Sequence, residues 1–217
     1  MTFDTAPPAG LATRLQQGID ELGMASHPIT VARLLQFVEL IRKWNRVYNL
    51  TAITDPAQMV TSHVLDSLAL QRFLPTGAML DVGSGAGLPG LPLAIANPAL
   101  LVTSVDAVDK KIVFQRQVTA ELALTNVEVI HGRVEALGAH LQPFMTIVAR
   151  AFASLADFTN LTRALLAPGG RWYAMKGAVP EQELAALPES VQLVAIHPLD
   201  VPGLGAARHL IVLEKST

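Results

Sequence analysis

The segment Asp81-Val-Gly-Ser-Gly-Ala-Gly-Leu-Pro-Gly90 limits what this chain can fold into more than any other. A short apolar run, Ala78 to Val82, precedes it and reads as a buried strand. Leu91-Pro-Leu-Ala-Ile-Ala96 follows it and can start a helix. Glycines let the backbone take positive φ and approach a ligand closely, so strand, glycine turn and helix together make a nucleotide cradle. An acidic residue at the end of the next strand, about 20 residues on, can then grip the ribose hydroxyls. Asp106, which closes Leu101-Val-Thr-Ser-Val-Asp106, holds that place.

Beyond Ala78 the pattern alternates between strand and helix. Residues 78–82, 101–106, 127–131, 144–149 and 171–176 are predicted strands. Residues 109–122 and 154–166 are predicted helices, the second closed by Pro168-Gly-Gly170. Such alternation implies a parallel sheet with right-handed crossovers. The end departs from it. Residues 191–199 and 208–214 are strand-like and are joined by Asp200-Val-Pro-Gly-Leu-Gly205 without a helix, as in an antiparallel closing hairpin. The part before Ala78 reads as helical. Residues 11–24 form one candidate. Thr30 can cap a second, which sets Val31, Leu34, Leu35, Val38 and Ile41 on one face. Asp55-Pro-Ala-Gln58 has the form of a helix start, and Met59, His63, Asp66 and Leu70 follow on related faces. The predicted organisation is an N-terminal helical extension, residues 1–77, and an α/β domain, residues 78–217, divided near Leu74-Pro-Thr-Gly77.

Three ligand readings compete for the loop. Gly85-Ala-Gly87-Leu-Pro-Gly90 fits the dinucleotide fingerprint literally, and a tight turn with no ligand is also possible. Two details favour S-adenosylmethionine over NAD. Asp81 ends the strand two residues before the first glycine, where its carboxylate can organise the loop and face a ligand's ammonium. The order Asp-x-Gly-x-Gly-x-Gly also resembles the first motif of class I methyltransferases. In addition, 217 residues leave no room for a separate dehydrogenase domain.

Composition narrows the chemistry. Apolar residues make up 51% and charged residues 16%, enough for a packed core. There is no cysteine, which excludes disulfides, Cys-ligated zinc and thiolate catalysis, including the usual covalent route to pyrimidine C5 methylation. No apolar run reaches membrane-spanning length, and residues 1–10 lack the basic start and apolar core of a signal peptide. A cytoplasmic protein with no membrane partner is expected, and a monomer is the favoured state. The net charge of −2 argues mildly against a nucleic-acid binder, but distribution matters more. Arg33, Arg42, Lys43 and Arg46 cluster before the glycine loop, and Lys110, Lys111 and Arg116 after it. They form either a basic rim around a cleft or ordinary solvated helix faces. The six histidines show no metal-ligand spacing.

Several further segments occur in order: Trp44-Asn-Arg-Val-Tyr-Asn-Leu-Thr51, His63-Val-Leu-Asp-Ser67, Gly132-Arg-Val-Glu135, Arg150-Ala-Phe-Ala-Ser154, Lys176-Gly177 and Arg208-His-Leu210. With the glycine loop they closely resemble the bacterial small-subunit (16S) ribosomal RNA guanine-N7 methyltransferase family (RsmG or GidB). The resemblance runs over residues 34–213. It implies a class I fold: a Rossmann-like seven-stranded sheet with an antiparallel closing hairpin and a helical N-terminal extension. It also implies methyl transfer from S-adenosylmethionine to N7 of a guanine in 16S ribosomal RNA or the small ribosomal subunit. Carried over by position, Gly83, Leu88, Val134, Glu135 and Arg150 would contact the donor, with Arg150 also the catalytic candidate. Asp106 and Gly85 join that set from the geometry of the fold. Arg46, Lys110, Lys176 and Arg208 are the candidate RNA contacts.

Each of these residues also has a structural reading. Arg150 can pair with a buried carboxylate, and Glu135 can be a helix-start charge. His63 can be a hydrogen-bonded interior histidine with Asp66 as its partner. Trp44 and Tyr48, at i and i+4, favour core packing over base stacking. Guanine N7 carries an in-plane lone pair and needs no general base, so alignment and electrostatics suffice. Arg150-Ala-Phe-Ala lacks the Asn-Pro-Pro-Tyr type of motif associated with amino-group methylation. A methyltransferase of small molecules or proteins, and a non-catalytic donor sensor or RNA binder, remain the rival readings.

Overall fold

Seven strands form one sheet in the order β3-β2-β1-β4-β5-β7-β6 in the computed structural model, which describes residues 10–25, 27–137 and 141–216. Strands β1 (Ala78–Val82), β2 (Leu101–Asp106), β3 (Val127–His131), β4 (Phe144–Arg150) and β5 (Leu166–Lys176) run parallel. Strand β7 (His209–Lys215) lies antiparallel between β5 and β6 (Val191–Pro198). The closing hairpin expected from the sequence is therefore present. The stretch considered for a signal peptide lies outside the described residues except for Gly10. Among the described residues no helix is long and apolar enough to cross a membrane.

Residues of alternate parity face opposite layers. Leu80, Val82, Ile147, Ala149, Trp172 and Ala174 pack under α7 (Leu155–Thr162) with Leu155 and Phe158. Met79, Val102, Val148, Tyr173 and Met175 face the other side, with Leu70 and with Leu93 of α5 (Gly90–Ala96). Because the central strands are covered on both faces, they read as continuous apolar runs. Asp81 and Arg150 share parity with Met79 and Val148, so both belong to the second face.

Helices α1 (Leu11–Glu21) and α2 (Pro28–Tyr48) cover the flank of that face. Val31, Leu34, Val38 and Ile41 are buried as their spacing predicts, and Leu35 is partly buried. Phe37 and Trp44 of α2 meet Phe114 of α6 (Asp109–Glu121) at ring-centroid distances of 6.4 and 5.6 Å. Trp44 is thus a packing residue. Tyr48 packs on it, tilted by 30° at a centroid distance of 5.1 Å, and stays 42% exposed.

Three local expectations change. His27, not Thr30, caps α2: its Nδ1 accepts from Ile29 N–H at 3.3 Å, and Pro28 opens the helix, the position where a missing N–H costs nothing. Asp55 does cap α3 (Pro56–Met59), accepting from Gln58 N–H at 2.9 Å. The chain then widens into a π-helix, Val60–Leu65, before the short α4 (Asp66–Leu68). Pro168-Gly-Gly170 does not follow the helix as a loop. It belongs to β5, whose register with β4 shifts between Phe144 and Thr146 to accommodate it.

Trp172 is fully buried, and its indole N–H donates to Thr162 Oγ1 at 2.8 Å. Thr162→Val keeps the volume and orphans that donor. It should lower unfolding free energy by about 1–3 kcal/mol in urea titration. An unchanged midpoint would mean the indole finds another acceptor.

Candidate active site

The site forms at the carboxyl ends of β1, β2, β4 and β5, where the strand order reverses between β1 and β4. The glycine loop after β1 is tied down from below. Gly83 and Ser84 N–H donate to Val105 O at 2.9 and 3.1 Å. Asp106 accepts from Gly85 N–H through Oδ2 and from Val108 N–H through Oδ1, each at 2.8 Å, with Lys111 Nζ 3.7 Å away. Gln115 of α6 locks the loop from the side. Its Nε2 donates to Ser84 Oγ at 2.8 Å and Gly85 O at 2.9 Å, and its Oε1 accepts from Ser104 Oγ at 2.6 Å.

Asp81 is fully buried at the root of this loop. Its Oδ2 accepts from Gly90 N–H at 2.8 Å, and a Cβ at position 90 would sit 2.6 Å from that oxygen. Its Oδ1 is buried without a hydrogen-bond partner among the described residues. Burial pushes the carboxyl up to about 7, against the pull of Gly90 N–H and Arg150. A buried acid with an open oxygen is what a cationic ligand group at this loop requires. Gly83 (φ 65°) exposes its backbone toward the Phe152 ring, where an added Cβ would project. On both counts the residues fit a nucleoside ligand with an ammonium.

The cleft has two halves. The first, about 210 Å³, is lined by Gly83, Asp106, Val134, Glu135, Phe152 and Leu161 among others. The second, about 450 Å³, is lined by Ser62, His63, Asp66, Arg150, Phe152, Lys176 and Arg208 among others. Phe152 is a wall of both.

Asp66, 0% exposed, organises the second half. Its Oδ2 accepts from Arg150 at 3.1 Å and its Oδ1 from Arg208 Nε at 2.8 Å. Arg150 also donates to Ser62 O at 2.9 Å. The π-helix explains this placement. Asp66 N–H reaches back to Thr61 O, five residues away, so the turn is wider than an α-helix, and Ser62 O and the Asp66 carboxylate both meet Arg150. The expected pairing of His63 with Asp66 is therefore absent. His63 Nδ1 lies 3.1 Å from Ser62 O and its Nε2 3.0 Å from Thr51 Oγ1. Burial and the nearby Arg150 lower its pKa to about 4, so the ring is neutral near pH 7. A neutral ring with these neighbours donates from Nδ1 to the carbonyl and accepts the Thr51 hydroxyl at Nε2. Asn45 holds Thr51 through two backbone contacts of 2.9 Å. Lys176 is paired with Glu183 at 2.8 and 2.9 Å.

The structure thus brings together Gly83, Asp106, Val134 and Glu135 in one half and Arg150, Lys176 and Arg208 in the other. Gly85 sits in the loop, bonded to Asp106. Leu88 turns inward, 4% exposed, into the core shared with α1 and α2, and lines neither half. Arg46 and Lys110 are exposed at the end of α2 and the start of α6 and line neither half. Arg42 of the expected basic rim is paired with Glu39. Sequence reasoning missed Asp66 as an organiser, and also Phe152 and Gln115. Gln115 was findable: it is the polar member of a helical stripe with Ile112 and Val118. Among the described residues no group of three or more His, Asp or Glu could hold a metal ion.

Residues 30–211 match the family described as rRNA small subunit methyltransferase G. A protein of that name from Aromatoleum aromaticum is 51% identical over 210 residues, covering 94% of this chain and 99% of the relative. One from Methylibium petroleiphilum is 48% identical, covering 99% of each. Among solved structures, the glycopeptide N-methyltransferase MtfA superposes with a TM-score of 0.61 at 16% identity, over 75% of this chain and 100% of that one. TrmN from Thermus thermophilus superposes with 0.57 at 24% identity, over 69% and 48%. At these identities the solved structures establish the methyltransferase fold alone.

Asp81 gives the site a pH signature. Its folded pKa lies above the unfolded value of 3.8, so the folded state holds a proton that the unfolded state has lost. Its contribution is fully favourable below about pH 4 and is lost as pH rises to about 7. Asp81→Asn, which mimics the protonated acid, should therefore gain stability relative to wild type across pH 4–7, by a few kcal/mol in all, and no more above it. Parallel stability curves from chemical denaturation would show an ordinary Asp81.

Proposed function

Since the chain belongs to the rRNA small subunit methyltransferase G family, we propose that it methylates N7 of a guanine in 16S ribosomal RNA. It is an S-adenosylmethionine-dependent methyltransferase of small-subunit ribosomal RNA. The observation that supports the finer reading is the two-part cleft, a glycine-loop half lined by Asp106 and Glu135 and a half with excess positive charge, which share Phe152.

The first half is assigned to the donor. Gly83 and Gly85 give the loop its close approach, and Asp106 keeps outward lone pairs for the ribose after accepting its two backbone N–H groups. Val134 and Glu135 flank the adenine end, and Asp81 Oδ1 is the assigned partner of the ammonium. When bound, S-adenosylmethionine supplies a methyl on a sulfonium, which the N7 lone pair takes as the carbon–sulfur bond breaks with its electrons left on sulfur.

The second half is assigned to the guanine and its phosphates. Arg150, held by Ser62 O and Asp66, keeps guanidinium donors for an acceptor carbonyl or phosphate. Two arginines share one carboxylate and Lys176 is matched by Glu183, so this half keeps one positive charge in excess. That suits a polyanion. His63 adds no charge near neutral pH, and its ring nitrogens are engaged with Ser62 and Thr51. It is not needed as a base, since N7 carries no proton to remove.

Arg150→Ala should lower kcat/KM for 16S RNA methylation about 100-fold through lost positioning. Arg150→Lys keeps the charge but not the fork, and should fall between that variant and wild type. Arg208 still pairs with Asp66 in both, so both should fold. Mass-spectrometric mapping of guanines in small subunits reads the rate and the atom together. Wild-type rates in both variants make Arg150 structural, and a methyl found elsewhere than guanine N7 overturns the acceptor.

A further inference from the structure

We infer that Phe152 serves the transfer itself, by presenting its ring face to the positive charge that passes from the donor half of the cleft to the acceptor half. This rests on the donor and acceptor assignment above and adds a role for a residue outside it.

Four observations carry the inference. Phe152 is the residue that lines both halves. Its ring stands against the first glycine of the loop, with Cδ2 and Cε2 3.6 and 3.7 Å from where a Cβ on Gly83 would lie. It is held there. Ala151, a non-glycine residue at φ 59°, turns the chain directly after Arg150, a conformation that persists only where its surroundings enforce it. Leu155 N–H donates to Glu183 at 2.7 Å beyond it, and the buried Phe158 backs the ring at 5.6 Å. Finally, the ring is free: among the described residues, the cation over an aromatic face is Arg72 over Phe73, and none lies over Phe152.

The chemistry needs such a surface. The sulfonium is cationic before transfer and the N7-methylated base is cationic after it, so charge moves but does not vanish. The acceptor half carries an excess positive charge from Arg150 and Arg208 over Asp66, which opposes that cation. A carboxylate beside the methyl would attract it and would also repel the RNA phosphates. An aromatic face attracts a cation through its quadrupole and carries no net charge.

The test uses the intact protein and equilibrium binding. S-adenosylmethionine and S-adenosylhomocysteine differ by the methyl and its charge, so the ratio of their dissociation constants reads the interaction with the sulfonium. Phe152 is replaced by mono-, di- and trifluorophenylalanine, which keep the shape and progressively weaken the ring quadrupole, and by Phe152→Leu. The preference for the charged ligand should fall stepwise with fluorination and by about 5- to 30-fold in Phe152→Leu. The rate of guanine N7 methylation should fall in the same order. A ratio that stays flat across the fluorinated series, with both ligands still bound, overturns the inference and makes Phe152 a packing residue. If the wild type binds neither ligand, the donor assignment fails, and the inference falls with it.

Discussion

One buried carboxylate holds the acceptor side together. Asp66 joins the turn after the π-helix, the end of β4 through Arg150 and the start of β7 through Arg208. These are three distant parts of the chain, and the strand order is what makes them neighbours. Because β7 inserts antiparallel beside β5, Arg208 enters at the edge where the parallel strands end. Breaking a buried ion pair from one side costs about 3–5 kcal/mol, since the remaining charge stays buried and unmatched. The closing hairpin and the helical segment before β1 are thereby fastened to each other across the cleft. Asn45 and Thr51 continue the connection into α2 through His63.

The centre of the sheet was legible in the sequence because its strands are buried on both faces. β1, buried from Met79 to Val82, spans the predicted residues 78–82, and the edge strand β3, none of it fully buried, was marked instead by the alternation of Val127, Val129 and Ile130 with polar residues. The amphipathic face of α2 was legible for the same reason, while its first residue was not: Thr30 looked like a cap, but Pro28 had already set the start. The π-helix left no mark at all. A period of 3.6 put His63 and Asp66 on one face, and the extra residue per turn separated them. Leu88 shows a different limit. Its place within the glycine loop suggested a side chain facing the ligand, yet that apolar side chain packs inward in the core with residues of α1 and α2. A motif gives the chain position of a residue and leaves its direction to packing.

Total charge misled in a similar way. A net charge of −2 spread evenly would discourage RNA, but the fold sorts the charges. Asp106 and Glu135 line the first half of the cleft beside Arg133, and Arg150, Lys176 and Arg208 line the second. The second half thereby keeps a positive excess that the total charge of the chain does not show. The exposed Arg46 and Lys110 lie outside both halves, so the positive excess of the second half comes from partly buried residues that sequence clustering does not single out.

The glycine loop carries its own cost. Asp81 has one oxygen bonded to Gly90 and one buried without a hydrogen-bond partner among the described residues. A sequence selected for stability alone would fill that position with an apolar side chain, since an unmet buried acceptor costs about 1–3 kcal/mol. On the assignment of Asp81 to the ligand ammonium proposed above, the open oxygen is binding energy held in reserve. A ligand cation that meets it restores the missing interaction and favours the ionised acid, so part of what the folded protein lacks is returned when the site fills. The hydrogen bonds from Gln115 and Asp106 keep the loop shaped in the meantime, so that little ordering remains to be done on binding.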